Sequence, residues 1–395
     1  MGCRSDFCEG GPSHVISCAP YLIAGLGRAI YFPVRKSVDR IDSQFCDTLV
    51  TRAGLPEILM KSHFLLPLLL TLAMSYASQS RPASAGKEWL LAANKGEHTL
   101  GLIDPSAGRQ LATVDVGGVT GHEVIASPDG RLAYVPIYGN SGVGLPGTDG
   151  STLAVIDIAS RKVIGNVDFG HGVRPHCPLI NPKDKLLYVT TEIDQAVTII
   201  DPATLKVVGK VPTGTSESHM LAIAHDGRRG YTANVGPGSV SVLDLEGRKT
   251  ITTIPVASKI QRVGISVDDR LVFTADQAKP QMAVIDTATN KLKTWVSLPA
   301  VGYGATPTPD GHWLVVPLRD GKQVAVIDLG SMKVAHTIDV PANPQEVLVS
   351  RDGGKAYVSC DASQKVAVIR TSDWTVEKLI DAGRGVDGLA WAASN

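Results

Sequence analysis

Two short segments alternate along the chain at a nearly fixed interval, and that interval constrains the fold more than any other feature. The first reads SPDGRLAYV at Ser127–Val135. It returns as NPKDKLLYV from Asn181, AHDGRRGYT from Ala224, SVDDRLVFT from Ser266, TPDGHWLVV from Thr308 and SRDGGKAYV from Ser350. The second follows each copy as LAVIDIASRK, VTIIDPATLK, VSVLDLEGRK, MAVIDTATNK, VAVIDLGSMK and finally VAVIRTSDWT. An earlier LGLIDPSAGR has no copy of the first segment before it. The aspartates of this second segment are Asp104, Asp157, Asp201, Asp244, Asp286 and Asp328, with Arg370 in the seventh place. From Asp157 onward the spacings are 44, 43, 42, 42 and 42 residues, the size of one four-stranded propeller blade.

Local chemistry agrees with that unit. SPDG between two short apolar runs is a hairpin turn, its Asp and Gly supplying the turn conformations. The Asp of VID ends a strand and can accept backbone N–H groups of the next turn. Each repeat is therefore two hairpins, with strands a and b around SPDG and strands c and d around the Asp. The continuous apolar run AVID suits a strand covered on both faces by neighbouring blades. The ends of the body fit a closed ring. The first repeat has a b strand at Glu88–Asn94 and a hairpin around Asp104 but no a strand, and VDGLAWAA at Val386–Ala393 is an unassigned a strand. The expected fold is all-β: a seven-bladed β-propeller of four-stranded blades over residues 87–395, with blade 1 closed by the C-terminal strand.

Ahead of the body, Met60 begins MKSHFLLPLLLTLAMSYASQ. A lysine, an apolar stretch too short to span a bilayer and the small-x-small Ser75-Tyr76-Ala77 follow in the order of a secretory signal peptide. The reading is a signal peptide at 60–77, a linker at 78–86 and an over-extended leader at 1–59 that takes no part in the fold. It places the mature protein in the periplasm or outside the cell, without a transmembrane span. Cys177 and Cys360, in repeats that are not neighbours, read as small buried apolar residues rather than a disulfide. Lys+Arg 38 against Asp+Glu 38 leaves no net charge, and nothing suggests a nucleic-acid groove.

YVTTEIDQAVTIIDPATLKVV at Tyr188–Val208 resembles the YVTN repeat of bacterial and archaeal propellers, and the nearest label is a YncE-like propeller. The resemblance runs from Lys87 to the C-terminus. It departs at Val315, where the repeat has Tyr, and at Arg370, where it has Asp. It implies the fold and says little of function, because that repeat is largely structural.

In this frame the d–a and b–c connections share the face where the central channel opens. The hairpin turns lie on the other face. Two features fall at the channel mouth. The b–c loop of blade 2, Tyr138–Gly150, is about ten residues longer than its counterparts and is either a lid or a tolerated insertion. The position six before the SPDG proline reads, in ring order, Asp387, His122, His176, His219, Gln261, Tyr303 and Gln345, starting the innermost strands. Glu123, Arg174 and Arg262 lie nearby. His122, His176 and His219 on consecutive blades could hold copper or zinc, or could line the channel as the repeat family often has it. The pair His122 and Asp387 could do acid–base work.

Three functions follow. The first is a non-catalytic propeller that binds a protein partner or small-molecule ligand at the mouth, without a cofactor. The second is a hydrolase resembling lactone-hydrolysing propellers, with His122, Glu123, His176 and Arg174 as its candidates. The third is a copper redox protein; the full histidine set and cysteine-rich copper domain of nitrous-oxide-reductase-like propellers are missing, which argues against it. The first is the reading taken forward.

Overall fold

The computed structural model describes residues 88–119 and 122–392. The segments read as leader, signal peptide and linker, with Lys87 and Ala393, lie outside the described residues. Seven four-stranded antiparallel sheets succeed one another. Blade 1 carries, from the channel outward, β28 (Val386–Ala392), β1 (Trp89–Asn94), β2 (Thr99–Asp104) and β3 (Arg109–Asp115). Blade 2 carries β4 (Ile125–Ala126), β5 (Leu132–Gly139), β6 (Asp149–Asp157) and β7 (Lys162–Asp168). Blade 3 has β8 (Pro175–Ile180), β9 (Leu187–Thr191), β10 (Ala196–Asp201) and β11 (Lys206–Pro212). Blade 4 has β12 (Ser218–Ile223), β13 (Arg229–Asn234), β14 (Ser239–Asp244) and β15 (Lys249–Pro255). Blade 5 has β16 (Gly264–Ile265), β17 (Leu271–Ala275), β18 (Gln281–Asp286) and β19 (Lys291–Ser297). Blade 6 has β20 (Thr306–Pro307), β21 (Trp313–Leu318), β22 (Gln323–Asp328) and β23 (Lys333–Asp339). Blade 7 has β24 (Pro344–Val349), β25 (Lys355–Cys360), β26 (Lys365–Arg370) and β27 (Thr375–Asp381). Two single 3-10 turns, Arg319–Gly321 and Asp361–Ser363, fill the b–c connections of blades 6 and 7. Among the described residues no helix is long and apolar enough to cross a membrane.

The repeated polar residues build the turns. In blade 2 the Ser127 hydroxyl donates to Asp129 and accepts the Leu132 amide, while Asp129 accepts the Arg131 amide. The same three bonds recur at Ser266/Asp268, Thr308/Asp310 and Ser350/Asp352. At the other hairpin the strand-ending Asp accepts amides two or three residues on: Ser106 and Ala107 for Asp104, Ser160 for Asp157, Ala203 for Asp201. Four residues after that Asp the backbone is left-handed. Only blade 1 meets this with glycine, Gly108; elsewhere Arg161, Leu205, Arg248, Asn290, Met332 and Trp374 hold φ between 52° and 58°. Where Arg370 replaces the Asp, Asp373 takes over the capping of Thr375, and Arg370 pairs with Asp373.

Between the blades the c strands are sealed on both faces. Leu153, Val155, Ile156, Val197, Ile199, Val284, Val326 and Val368 are all buried, and Val315, which stands where the repeat has Tyr, is fully buried too. Burying one such side chain is worth about 1.5–3 kcal/mol. Cys177 and Cys360 are buried free thiols.

Closure runs through β28. It pairs with β1 in the register Trp89↔Ala392, Leu91↔Ala390 and Asn94↔Val386. Its other side meets the neighbouring blades: the Gly388 amide donates to the His122 carbonyl of blade 2, and the Leu389 amide donates to Glu346 of blade 7. A Cβ at Gly388 would overlap the His122 carbonyl and the Glu123 backbone, so this close approach requires glycine. The expected b strand begins at Trp89 rather than Glu88. The inner strands of blades 2, 5 and 6 are only two residues long, so His122, Gln261 and Tyr303 precede their strands instead of starting them. Strand pairing also extends into the long loop, leaving residues 140–148 outside the ladder.

Deleting residues 385–395 should cost the whole ring its single cooperative transition rather than fray one blade, because β1 loses its partner and blades 7 and 2 lose their shared neighbour. Thermal melts followed by circular dichroism check this; a truncated protein that melts like the intact chain contradicts the closure.

Candidate functional site

Six of the seven expected channel positions are described as largely buried or half-buried polar groups, and the seventh, Gln261, is half-buried as well. They do not act as a uniform lining. Two linked clusters form, and His122 belongs to both.

The first cluster centres on Arg262. Its guanidinium, carried by blade 5, reaches across the channel to blades 1, 2 and 7. Nη2 donates to Asp387 Oδ1 at 2.8 Å. It also lies 2.7 Å from Glu123 Oε1, an ion contact without hydrogen-bond geometry, while Nη1 is 3.7 Å from Glu346 Oε2. All four side chains are buried or nearly so. The other oxygen of Asp387 accepts Lys95 Nζ at 3.0 Å and lies 3.2 Å from His122 Nδ1; Lys95 also meets Asp361 at 2.9 Å. Tyr303 sits between Arg262 and Arg319, whose guanidinium carbons lie 5.2 and 5.0 Å from the ring centre. Gln345 is buried, its amide 3.5 Å from the Asn343 carbonyl.

The charges respond to this packing. Burial pushes the Asp387 carboxyl up, but Lys95, His122 and Arg262 outweigh it and hold the group far below the usual range. Burial dominates at Glu123, which is raised well above the carboxylate range despite Arg262, and raises Glu346 as well. Both shifts favour the protonated form of these two carboxyls beside Arg262. Burial would lower Arg262 itself, and the carboxylates around it reverse that.

The second cluster holds the histidines. The His176 and His219 rings lie with centroids 3.5 Å apart and planes tilted by 31°, and His122 lies 5.3 Å from His176. The Tyr138 ring stands edge-on to His122, His176 and His219 at 5.8, 5.5 and 5.9 Å. Neither ring nitrogen of His176 has a hydrogen-bond partner among the described residues. Burial, reinforced by the neighbouring histidines, drives His176 well below the usual histidine range, and burial lowers His219 too. The Tyr138 hydroxyl donates to Glu192 Oε2 at 2.5 Å. Burial would raise Glu192, but His219, Tyr138 and the Gly144 amide hold it at about 2.

Arg174 and Glu192 fasten the long loop of blade 2 over this cluster. Arg174 donates to Asp149 Oδ1 (2.6 Å), Glu192 Oε1 (3.1 Å) and the carbonyls of Gly142 (3.3 Å) and Leu145 (2.7 Å); Glu192 Oε1 also accepts the Gly144 amide at 3.1 Å. Arg174 has φ of 51°, a left-handed conformation that costs a non-glycine residue on the order of 1 kcal/mol. The loop is thus latched structure. His171, in contrast, is exposed and bonds Asp194.

Imidazoles that share one ion stand around it, each nitrogen about 2.0–2.1 Å away. Among the described residues no three His, Cys, Asp or Glu side chains are grouped to hold an ion.

Sequence reasoning missed Lys95, Tyr138, Asp149, Glu192, Glu346 and Asp361. One signal was readable. The residues immediately after the seven channel positions are Gly388, Glu123, Cys177, Met220, Arg262, Gly304 and Glu346, a second tier with one cation and two carboxyls among small or apolar groups. Lys95, Glu192 and Asp361 come from b–c connections, which the frame already placed at the mouth.

No protein-family model matches the chain, and no curated protein matches it. Many solved chains share its fold. One of them is the structure titled Kuenenia stuttgartiensis Hydrazine Synthase, similar at a TM-score of 0.60 over 70% of this chain and 91% of that chain, with 19% sequence identity. At that identity the likeness is one of fold alone.

Two outcomes follow from the charges. Arg262→Met should destabilise the protein by about 3–5 kcal/mol, since buried carboxylates lose their shared cation; adding Glu123→Gln and Asp387→Asn should recover part of the loss, as denaturant midpoints will show. Separately, His176 and His219 titrate lower folded than unfolded. The unfolded chain therefore takes up protons first, and their contribution to stability is lost as pH falls through about 6.5. Glu123 and Glu346, raised in the folded state, work in the opposite sense toward about pH 4.5. His176→Phe should flatten the change in melting temperature between pH 7.5 and 5.5; an unaltered slope would refute this assignment.

Proposed function

We propose that this chain is an exported propeller that binds a ligand or protein partner at the mouth of its central channel without transforming it. The observation that carries the reading is the construction of the mouth. Arg262 and three carboxyl groups from other blades brace the channel across its width, so a partner rests on the mouth instead of passing through. Above that brace His122 and Lys95, both on Asp387 Oδ2, keep 32% and 26% of their side chains exposed. They offer hydrogen-bonding groups of fixed orientation to whatever docks there. The resemblance to YVTN-repeat propellers supports a scaffold of this kind, and the signal-like run from Met60 supports delivery to the periplasm or the exterior.

A hydrolytic reading has one observation in its favour. The 3.2 Å contact between His122 Nδ1 and Asp387 orients the imidazole with Nε2 free, as a general base for water requires. The Cys177 thiol would not serve such a reaction as a nucleophile, since it is buried and burial pushes its ionisation up, which suppresses the thiolate.

A small-molecule library screened by thermal shift against residues 78–395 tests the reading. A ligand raising the melting temperature should lose its effect in the His122→Ala/Lys95→Ala double variant and keep it in Asp268→Ala on the hairpin face. Ligands that depend on the hairpin face, or that are chemically altered by the protein, would sink it.

A further inference from the structure

Beside the channel mouth, a cleft of about 370 Å³ opens between the latched loop of blade 2 and the b–c and d–a connections of blades 3 and 4. One wall is Leu145 and Pro146 from the loop; the facing wall includes Ile193. Leu145 and Ile193 are 61% and 45% exposed, large apolar side chains on the mouth face with water against them. Glu217 closes one end. Its Oε2 accepts the Gly236 amide at 2.7 Å, while Oε1 has no hydrogen bond. The carboxylate packs on the loop at Gly144, where a Cβ would stand 2.7 Å from Oε1, so the loop glycine is what lets Glu217 face the cleft. Glu217, like Arg174, has a left-handed backbone, at φ 54°.

The charge at this end is unbalanced. Arg174 is committed to Asp149 and Glu192, which leaves the carboxylates of Glu217, Glu192 and Asp149 against one guanidinium. A cleft with apolar walls, a free carboxylate oxygen and excess negative charge fits a long aliphatic stem ending in a cation. We infer that this cleft receives the side chain of an arginine or lysine displayed by a protein or peptide partner, with Leu145, Pro146 and Ile193 along the stem and Glu217 on the cationic head. The inference rests on the mouth-binding reading and supplies the chemistry of what binds.

Fluorescently labelled tripeptides Ala-Arg-Ala, Ala-Lys-Ala, Ala-Leu-Ala and Ala-Glu-Ala, blocked at both ends, are the probes, with binding read by polarisation on residues 78–395. The basic peptides should bind at least tenfold more tightly than the other two. Glu217→Gln, which keeps an acceptor for Gly236, should weaken the basic peptides about tenfold and leave Ala-Leu-Ala unchanged, and Ile193→Ser should weaken them about threefold. Equal binding of the four peptides, or no effect of Glu217→Gln, overturns the inference. Free spermidine binding as tightly as Ala-Arg-Ala overturns the assignment to a protein partner. A library ligand that needs His122 and Lys95 but ignores Glu217→Gln would leave the mouth-binding reading standing while this one fails.

Discussion

A four-stranded sheet with apolar residues on both faces has no stable existence alone, and each blade here is such a sheet. The pairing of β28 with β1 completes the first blade and so joins the two ends of the seven-sheet ring. That pairing joins Trp89 to Ala392 and brings strands from opposite ends of the body into one ladder. Its influence reaches the functional face directly. β28 carries Asp387, the carboxylate on which Lys95, His122 and Arg262 converge, and Gly388, whose missing side chain lets the strand lie against the start of blade 2. Closing the ring and assembling the mouth are one event.

The polar centre is stable because its charges answer one another across blades. Arg262 is one buried cation for three carboxyl groups, and burial pushes two of them, Glu123 and Glu346, toward the protonated form. The histidine cluster is settled differently. Burial lowers both His176 and His219, whose rings pack against each other and edge-on to Tyr138.

Most of the fold was legible in the sequence because it repeats. The Asp of VID and the Ser and Asp of SPDG act within a few residues of themselves, so the sequence contains both halves of each interaction. The closing strand was legible for a related reason, as the one a strand left over. The site was legible only in part. The repeat frame placed Asp387, His122, His176 and His219 at one end of the channel, but it could not give the orientation of the rings. Arg262 with Asp387 is a contact 125 residues apart, and Arg174 with the loop carbonyls depends on the path of an insertion that no other repeat shares. The short inner strands of blades 2, 5 and 6 were also invisible, since the pattern marks where a strand points, not how far its ladder runs.

The closing strand is also the last of the propeller's strands to be made. Blade 1 cannot complete its ladder, nor the ring seal its first and last blades, until that piece is present, and loop-closure entropy over so long a span must be met before the contacts that repay it. Until β28 is made, the growing chain stays short of the closed ring's stability. The moment of ring closure is thus set by the arrival of β28 rather than by the first blades formed.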